Sequence, residues 1–175
     1  MLATSGGKHL YSTPMIRRPI ALCLALLAAG PAVAQSQRES LPIPRFVTLR
    51  SEEVNLRAGP GVRYPVEWVF VRRQMPVEIL QEFENWRRIR DVDGTEGWVH
   101  QSMLTGRRAA VVTGQMRELR RRPETEAPVV AKVEPGVIGA LLECRDAWCR
   151  IETGGFRGWL ARDQIWGVYP NETVK

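Results

Sequence analysis

The sequence predicts an all-β protein that contains two tandem copies of one small barrel. Three observations support this: a repeat of about 60 residues, short stretches in which apolar and polar residues alternate, and turn residues between those stretches. Alternation with a period of two is typical of half-buried strands, and a repeat at a fixed period indicates one structural unit used twice. After residue 34, no segment shows a sustained helical period.

The first element is a cleavable signal peptide over residues 1–34, which can start at Met1 or at Met15. An apolar run at residues 20–29 follows two arginines and precedes an Ala-Val-Ala sequence, as in secretory leaders. A membrane-spanning helix needs about 20 apolar residues, so no stable membrane span is expected after processing. We expect cleavage between Ala34 and Gln35 and a periplasmic or secreted product.

Cleavage changes the charge balance. The whole chain has 25 Lys and Arg against 19 Asp and Glu, and its net charge of +6 raises the question of a polyanionic partner. Removal of residues 1–34 takes away three basic residues and no acidic one, which leaves +3. The remaining arginine runs are interleaved with acidic residues, as on solvated faces, so nucleic acid is not expected as a partner.

The exported part begins with a polar linker over residues 35–45. The first copy of the repeat follows at residues 46–108, the second at residues 109–167, and a short tail at residues 168–175. Equivalent residues keep a nearly constant spacing of 63, 62 and 61 residues in the pairs Leu56 and Leu119, Trp86 and Trp148, and Trp98 and Trp159. A unit of this size buries only about 60% of its unfolded surface, so packing between the copies should stabilise both.

Cys144 and Cys149 are the two cysteines that remain after processing, and we predict a disulfide between them. Four residues separate them in a stretch that is typical of a β-hairpin end, and export leads to an oxidising compartment. A metal site would need more ligands, and redox catalysis normally uses a C-x-x-C spacing. No metal ion or other cofactor is expected.

The first copy opens with the sequence VNLRAGPG at residues 54–61, and Tyr-Pro-Val, Trp86 and Gly-Trp-Val-His follow in that order. These motifs resemble the bacterial SH3 (SH3b) domain over about residues 46–166, and the chain is similar to exported tandem SH3-like proteins of proteobacteria. The resemblance implies two SH3-like β-barrels that recognise a peptidoglycan peptide or another short peptide. The second copy lacks the Asn and the Gly-Pro-Gly, which puts a binding face on that loop in question.

Candidate ligand-binding residues lie in the first copy. Tyr64, Pro65 and Trp98 are expected to contribute to a recognition face, because aromatic grooves of SH3-like barrels bind short extended peptides. Arg57 is a further candidate contact, although it can instead tie the loop down by hydrogen bonds. Trp68 has no aromatic counterpart in the second copy, so an exposed Trp68 would mark either the ligand site or the contact between the copies.

The sequence predicts no enzyme. A catalytic thiol would need a free cysteine beside a histidine, and a zinc hydrolase would need about three ligands, whereas His100 is the one histidine after residue 34. We therefore expect a non-catalytic periplasmic protein whose tandem module recognises peptidoglycan or a cell-wall peptide. The alternative is an adaptor that binds a peptide or an exported protein in the cell envelope.

The disulfide gives the first testable prediction. A maleimide reagent added to the native, processed protein without reductant should modify neither Cys144 nor Cys149, because both sulfurs are oxidised. Labelling after reduction in denaturant should modify both and serves as the positive control. Stoichiometric labelling of the untreated native protein would contradict the pairing.

Overall fold

The structure is a computed structural model that describes residues 41–175, and these residues form two antiparallel sheets of seven strands each. The predicted all-β class with two tandem barrels is confirmed. The predicted signal peptide, residues 1–34, and residues 35–40 of the predicted linker lie outside the described part of the chain. Between residues 41 and 175, no helix is long and apolar enough to cross a membrane.

The first barrel consists of β1 (Arg45–Leu49), β2 (Val54–Arg57), β3 (Val66–Phe70), β4 (Pro76–Phe83), β5 (Trp86–Arg90), β6 (Glu96–His100) and β7 (Leu104–Thr105). A 3₁₀ turn, Gln101–Met103, joins the last two strands. Neighbouring strands follow the order β3-β2-β6-β5-β4-β1-β7. The inward-facing residues of each strand are mostly aliphatic and form one buried core that includes Leu49, Leu56, Ile79, Ile89 and Val99.

The second barrel repeats this arrangement with β8 (Ala109–Val112), β9 (Arg117–Arg120), β10 (Val129–Val133), β11 (Ile138–Arg145), β12 (Trp148–Thr153), β13 (Phe156–Ala161) and β14 (Ile165–Trp166). Its order, β10-β9-β13-β12-β11-β8-β14, is the first order with each strand replaced by the one seven places later. The predicted disulfide is confirmed: Cys144 and Cys149 are paired across β11 and β12, with an S–S distance of 2.04 Å.

One glycine in each barrel is required by close packing. A Cβ atom on Gly97 of β6 would lie 2.5 Å from Cγ of Leu56, and one on Gly158 of β13 would lie 2.6 Å from Cγ of Leu119. Real Cβ atoms do not approach carbon so closely, so a larger residue would push β6 or β13 away from its core. The repeated Gly-Trp motif therefore has a packing cause at its first residue.

Aromatic packing joins the two barrels. The Phe46 ring of β1 lies against Trp166 of β14, with ring centroids 4.9 Å apart, and against Tyr169, with centroids 4.8 Å apart. The Arg108 guanidinium lies 5.9 Å from the centroid of the same ring. Phe46 is itself buried, so this contact forms a small aromatic cluster between the two barrels, apart from their two cores.

The buried carboxylate of Glu78 adds a polar contact between the two barrels. Glu78 of β4 is 4% exposed, accepts a hydrogen bond of 2.5 Å from Arg90 and accepts one of 2.8 Å from the Tyr169 hydroxyl. Burial raises the pKa of the Tyr169 phenol, and the hydrogen bond that it donates to Glu78 raises this pKa further. The phenol therefore remains a donor at neutral pH and ties the end of the chain to the first barrel.

Residues 167–175, which include the predicted tail, form a packed C-terminal segment. Arg108 binds both carboxylate oxygens of Glu172, and one of these oxygens also accepts from the Tyr169 N–H at 3.1 Å. Val174 pairs with Cys144 through backbone hydrogen bonds of 3.0 and 3.4 Å. Burial acts to raise the pKa of the Glu172 carboxyl, but the hydrogen bonds from Arg108 and Tyr169 outweigh it and hold the pKa below its ordinary value.

The glycine packing predicts a stability loss. Gly97→Ala and Gly158→Ala should each lower the free energy of unfolding by about 1 to 3 kcal/mol, because the added methyl group overpacks a closed core. Gly106→Ala is the matched control, since a Cβ atom there would have no neighbour within 4 Å. Urea titration gives the free energy of unfolding of all three variants. If Gly97→Ala unfolds with the same free energy as the control, Leu56 does not pack as closely against Gly97 as the structure shows.

The lowered pKa of Glu172 predicts a pH dependence. Its ionised form stabilises the fold, and this contribution is complete above the ordinary glutamate pKa and is lost as the pH falls through the lower, folded-state pKa. Glu172→Gln should lower the free energy of unfolding by about 1 to 3 kcal/mol at pH 7. The difference from wild type should shrink on acidification.

Glu126→Gln serves as the control for this measurement, because Glu126 is exposed and takes part in no ion pair among residues 41–175. Urea unfolding at neutral and acid pH compares the three proteins. Equal pH dependence in wild type and Glu172→Gln would show that this carboxylate does not carry the effect.

Candidate functional site

Arg57, a predicted ligand contact, anchors the loop between β2 and β3. Its Nη1 atom donates to the carbonyl oxygen of Tyr64 at 2.8 Å and to that of Val62 at 3.2 Å. The guanidinium is half-buried, and these two carbonyl groups use one of its terminal nitrogens. These hydrogen bonds fit the second of the two roles that the sequence suggests for Arg57, that of tying the loop down.

The Tyr64 ring lies flat against the loop backbone. A Cβ atom on Gly59 would lie 2.5 Å from Cδ1 of Tyr64, so this glycine makes room for the ring. The Arg63 guanidinium lies 5.3 Å from the ring centroid, and the neighbouring Pro65 is exposed. The loop thus presents one supported aromatic ring beside an exposed proline.

Trp98, the fourth predicted residue, lies on β6 across from Arg57 of β2 and Arg88 of β5. It is half-buried, so one part of the indole remains accessible. The structure therefore places Tyr64 and Pro65 in one loop, Arg57 at the end of β2 where it anchors this loop, and Trp98 across from Arg57. Trp68 lies elsewhere: it is 58% exposed on the edge strand β3, whereas Phe46 and Glu78 contribute the contact between the barrels.

The loop of the second barrel has the same backbone scaffold without the Gly-Pro-Gly sequence. Arg120 donates to the carbonyl oxygen of Ala127 at 2.8 Å, as Arg57 does to that of Tyr64. The loop-closing backbone hydrogen bond from Arg121 to Pro128 measures 3.0 Å, against 3.1 Å for its equivalent in the first barrel. Ala127, however, is buried and replaces the Tyr64 ring, so the aromatic side chain is what the second loop lacks.

A groove in the second barrel contains an aromatic residue that the sequence did not place in a site. It has a volume of about 710 Å³ and is lined by Thr125, Ala147, Trp148, Ala161, Arg162, Asp163, Ile165, Val168 and Pro170. We call it the Trp148 groove. A second recess of about 370 Å³ shares Thr125, Trp148 and Ala161 with it and extends towards Met116 and Arg117.

One cross-strand neighbour distinguishes the two barrels at this position. Trp148 of β12 faces Ala161 of β13, whereas the equivalent Trp86 of β5 faces His100 of β6. The Trp86 and His100 rings pack edge to face with centroids 5.4 Å apart, so the imidazole lies against one side of the first indole; Trp86 and Trp148 are both half-buried. Ala161 has only a methyl group, which leaves the indole of Trp148 open to the groove. The residue after Gly-Trp-Leu was the sequence signal for this difference.

The charged groups of the Trp148 groove have different roles. Arg162 donates to the carbonyl oxygens of Asp146, Tyr169 and Glu172 at 2.7 to 3.0 Å, so its guanidinium holds the C-terminal segment that supplies one wall. Asp163 is exposed and takes part in no ion pair among residues 41–175. The groove therefore combines an aromatic surface, small apolar side chains and one available carboxylate, which suits a short peptide with an amino group.

No metal centre is evident in the described part of the chain. Between residues 41 and 175, no three His, Cys, Asp or Glu side chains lie close enough together to hold a metal ion. His100 is held by its own neighbours, since its Nδ1 atom lies 2.7 Å from Oγ of Ser102.

Comparison with known proteins gives one curated relative and several solved structures. The chain is 26% identical over 128 residues to a Bacillus subtilis (strain 168) protein named as an N-acetylmuramoyl-L-alanine amidase, YrvJ. The match covers 67% of this chain but 24% of that protein. The chain therefore spans about a quarter of the length of this relative.

The solved structures share low identity with the chain. NlpC1 from Trichomonas vaginalis is 15% identical with a TM-score of 0.33, and the match covers 72% of this chain and 46% of that one. An NlpC/P60 family protein from Bacillus cereus ATCC 10987 is 12% identical with a TM-score of 0.32, and the match covers 69% of this chain and 55% of that one.

The family comparison is decisive. The model of the bacterial SH3 domain matches residues 50–106 and residues 114–167, one segment in each barrel. Together these segments cover more than half of the sequence, and each contains the arginine-anchored loop and the Gly-Trp strand described above. The chain belongs to the bacterial SH3 domain family, as a tandem pair.

Proposed function

We propose that this protein is a non-catalytic periplasmic binding protein that recognises the peptide part of peptidoglycan through the Trp148 groove. The observation that carries the proposal is the open indole of Trp148, which faces Ala161 where the first barrel has a covering histidine. Aromatic residues in open grooves bind extended peptides through apolar side chains, and a nearby polar group fixes the orientation. Asp163 is that polar group here.

The chemistry of the groove matches a short cell-wall peptide. Such peptides combine small apolar side chains with a free amino group. The indole of Trp148 and the side chains of Val168 and Pro170 would contact the apolar part. The carboxylate of Asp163 would bind the amino group, and an ion pair at such an exposed site contributes up to about 1 kcal/mol.

Three further observations support a location outside the cytoplasm and a role at the cell wall. The disulfide between Cys144 and Cys149 fits an oxidising compartment, as does the predicted signal peptide. The Bacillus subtilis relative is named as an amidase of N-acetylmuramoyl-L-alanine, which is a cell-wall linkage.

The proposal of a non-catalytic role rests on the oxidised cysteines and on His100, which packs against Trp86.

The first barrel supplies a second contact surface in this proposal. Tyr64, Pro65 and Trp98 would contact the same polymer, while Arg57 holds the loop through its two carbonyl partners. Two linked sites on one repeating polymer bind together more tightly than either does alone, since the second contact becomes intramolecular. A fixed pair of barrels suits a polymer with regularly spaced peptides.

A second candidate function is an adaptor that binds another exported protein. It is favoured by the edge strand β3, where Val66, Trp68 and Val69 are all exposed. An unpaired strand edge with apolar side chains can accept a strand from another protein. Purification of one stoichiometric partner from the periplasm, and its loss with Trp68→Ser, would favour the adaptor.

Ala161→His tests the Trp148 groove without removing Trp148. The new imidazole should cover the indole as His100 covers Trp86, so the protein should bind purified, insoluble peptidoglycan about tenfold more weakly in a co-sedimentation titration. Trp148→Ala should give a loss of the same size. Trp86→Ala is the matched control, because this indole is already covered, and it should bind like wild type.

Far-UV circular dichroism confirms that each variant is folded before binding is compared. Tyr64→Ala and Trp98→Ala measure the contribution of the first barrel in the same assay. If folded wild type at low salt is not retained on peptidoglycan, or if Ala161→His binds as tightly as wild type, the groove is not the wall-binding site.

A further inference from the structure

Three arginines line one recess on the first barrel, beside the join between the barrels. The recess has a volume of about 280 Å³ and is lined by Leu49, Arg50, Arg73, Gln74, Thr105 and Arg107. The arginines come from the end of β1, from the loop before β4 and from the three-residue join after β7. No acidic residue lines this recess, which lies apart from the residues of the Trp148 groove.

The lack of a carboxylate distinguishes these arginines from others in the protein. Ion pairs between residues 41 and 175 join an arginine to a glutamate in nine instances, and none of them includes Arg50, Arg73 or Arg107. Like charges around one recess repel one another, and a bound anion removes this repulsion. Arg50, Arg73 and Arg107 are exposed, so the recess presents positive charge that no carboxylate among residues 41–175 neutralises by a direct ion pair.

Two buried polar atoms lie in an adjoining recess of about 100 Å³, which shares Gln74 and Arg107 with the first. The hydroxyl of Thr48, a residue that is 1% exposed, has no hydrogen-bond partner among the described residues. The Nε atom of Arg108 lines the same place and has none either. Both groups can donate a hydrogen bond, and a buried donor without an acceptor is costly.

The internal repeat shows that the backbone at Gln74 does not require a glutamine. Gln74 donates its backbone N–H to Leu49 at 2.9 Å, and Gly136 makes the equivalent bond to Val112 at 2.8 Å in the second barrel. Both residues have left-handed backbone angles, with φ of 63° for Gln74 and 80° for Gly136. Glycine adopts this conformation freely, whereas glutamine is strained in it. The first barrel accepts this strain at a residue whose side chain lines both recesses.

The equivalent positions of the arginines also differ. Arg50 donates its backbone N–H to Met103 at 2.8 Å, and the matching bond in the second barrel is from Thr113 to Gln164 at 2.9 Å. Arg73, which precedes Gln74, corresponds to Pro135, which precedes Gly136. The backbone is thus held alike in both barrels. The arginines occur only in the first barrel, where the second barrel has Thr113 and Pro135.

We propose that the recess lined by Arg50, Arg73 and Arg107 binds a phosphate group. Guanidinium groups pair with carboxylates and phosphates through parallel hydrogen bonds. A phosphate ester offers three acceptor oxygens and a charge of about −1.5 to −2, which matches three arginines better than the two oxygens and single charge of a carboxylate. The volume of about 280 Å³ equals that of roughly nine water molecules, so the recess admits a phosphate and part of its carrier. The phosphate comes from free phosphate or from a phosphomonoester lipid headgroup, as in phosphatidic acid.

Calorimetric titration of the processed protein with inorganic phosphate, at constant ionic strength, tests the proposal. A second arm measures binding to phosphatidylcholine vesicles with and without phosphatidic acid. The double variant Arg50→Gln with Arg107→Gln should raise the Kd for the bound probe by about tenfold or more, since charge-assisted hydrogen bonds are lost. The control, Arg121→Gln with Lys132→Gln, removes the same charge from exposed positions of the second barrel and should bind like wild type.

The two arms distinguish the sources of the phosphate. Saturable binding of inorganic phosphate that the double variant loses supports a site for free phosphate. Binding only to vesicles that contain phosphatidic acid, again lost in the double variant, supports a headgroup site. The proposal is overturned if neither probe binds wild type, or if the control variant loses binding as much as the double variant does. Circular dichroism confirms folding, and retained peptidoglycan binding is not required for either result.

Discussion

The hydrogen bond between the Tyr169 hydroxyl and the buried Glu78 carboxylate is the interaction on which much of the arrangement depends. It joins residues 91 positions apart and anchors the C-terminal segment to the first barrel. Burial of the phenol raises its pKa, which keeps it a donor, and Arg90 neutralises the carboxylate that would otherwise be costly in this position. Arg108, in the join between the barrels, binds Glu172 of the same segment.

The Trp148 groove follows from this anchoring. Its wall at Val168 and Pro170 belongs to the C-terminal segment, and Arg162 binds that segment through two carbonyl oxygens while it lines the groove. Val174 pairs with Cys144 beside the disulfide, so the covalent link and the groove wall are parts of one packed region. The C-terminal segment therefore couples the contact between the barrels to the shape of the proposed peptide site.

Duplication preserved the backbone and changed the side chains. The arginine-anchored loops have nearly equal hydrogen-bond distances, yet Tyr64 corresponds to Ala127 and His100 corresponds to Ala161. The first barrel has a supported tyrosine and the proposed phosphate recess, and the second has the open indole. These differences lie in side chains that project from a shared scaffold, as is common where one fold carries several binding functions.

The sequence by itself determined the all-β class, the tandem repeat, the family and the disulfide, because period-two alternation, glycine positions and cysteine spacing are local signals. It also identified Arg57, Tyr64, Pro65 and Trp98 as candidates, and the tertiary structure showed that Arg57 holds the loop. Only the tertiary structure decided that Trp148 lines a groove, that His100 packs against Trp86 and that three distant arginines line one recess. Each of these depends on a neighbour across a strand or from another element, and sequence periodicity carries no information about which side chains meet there.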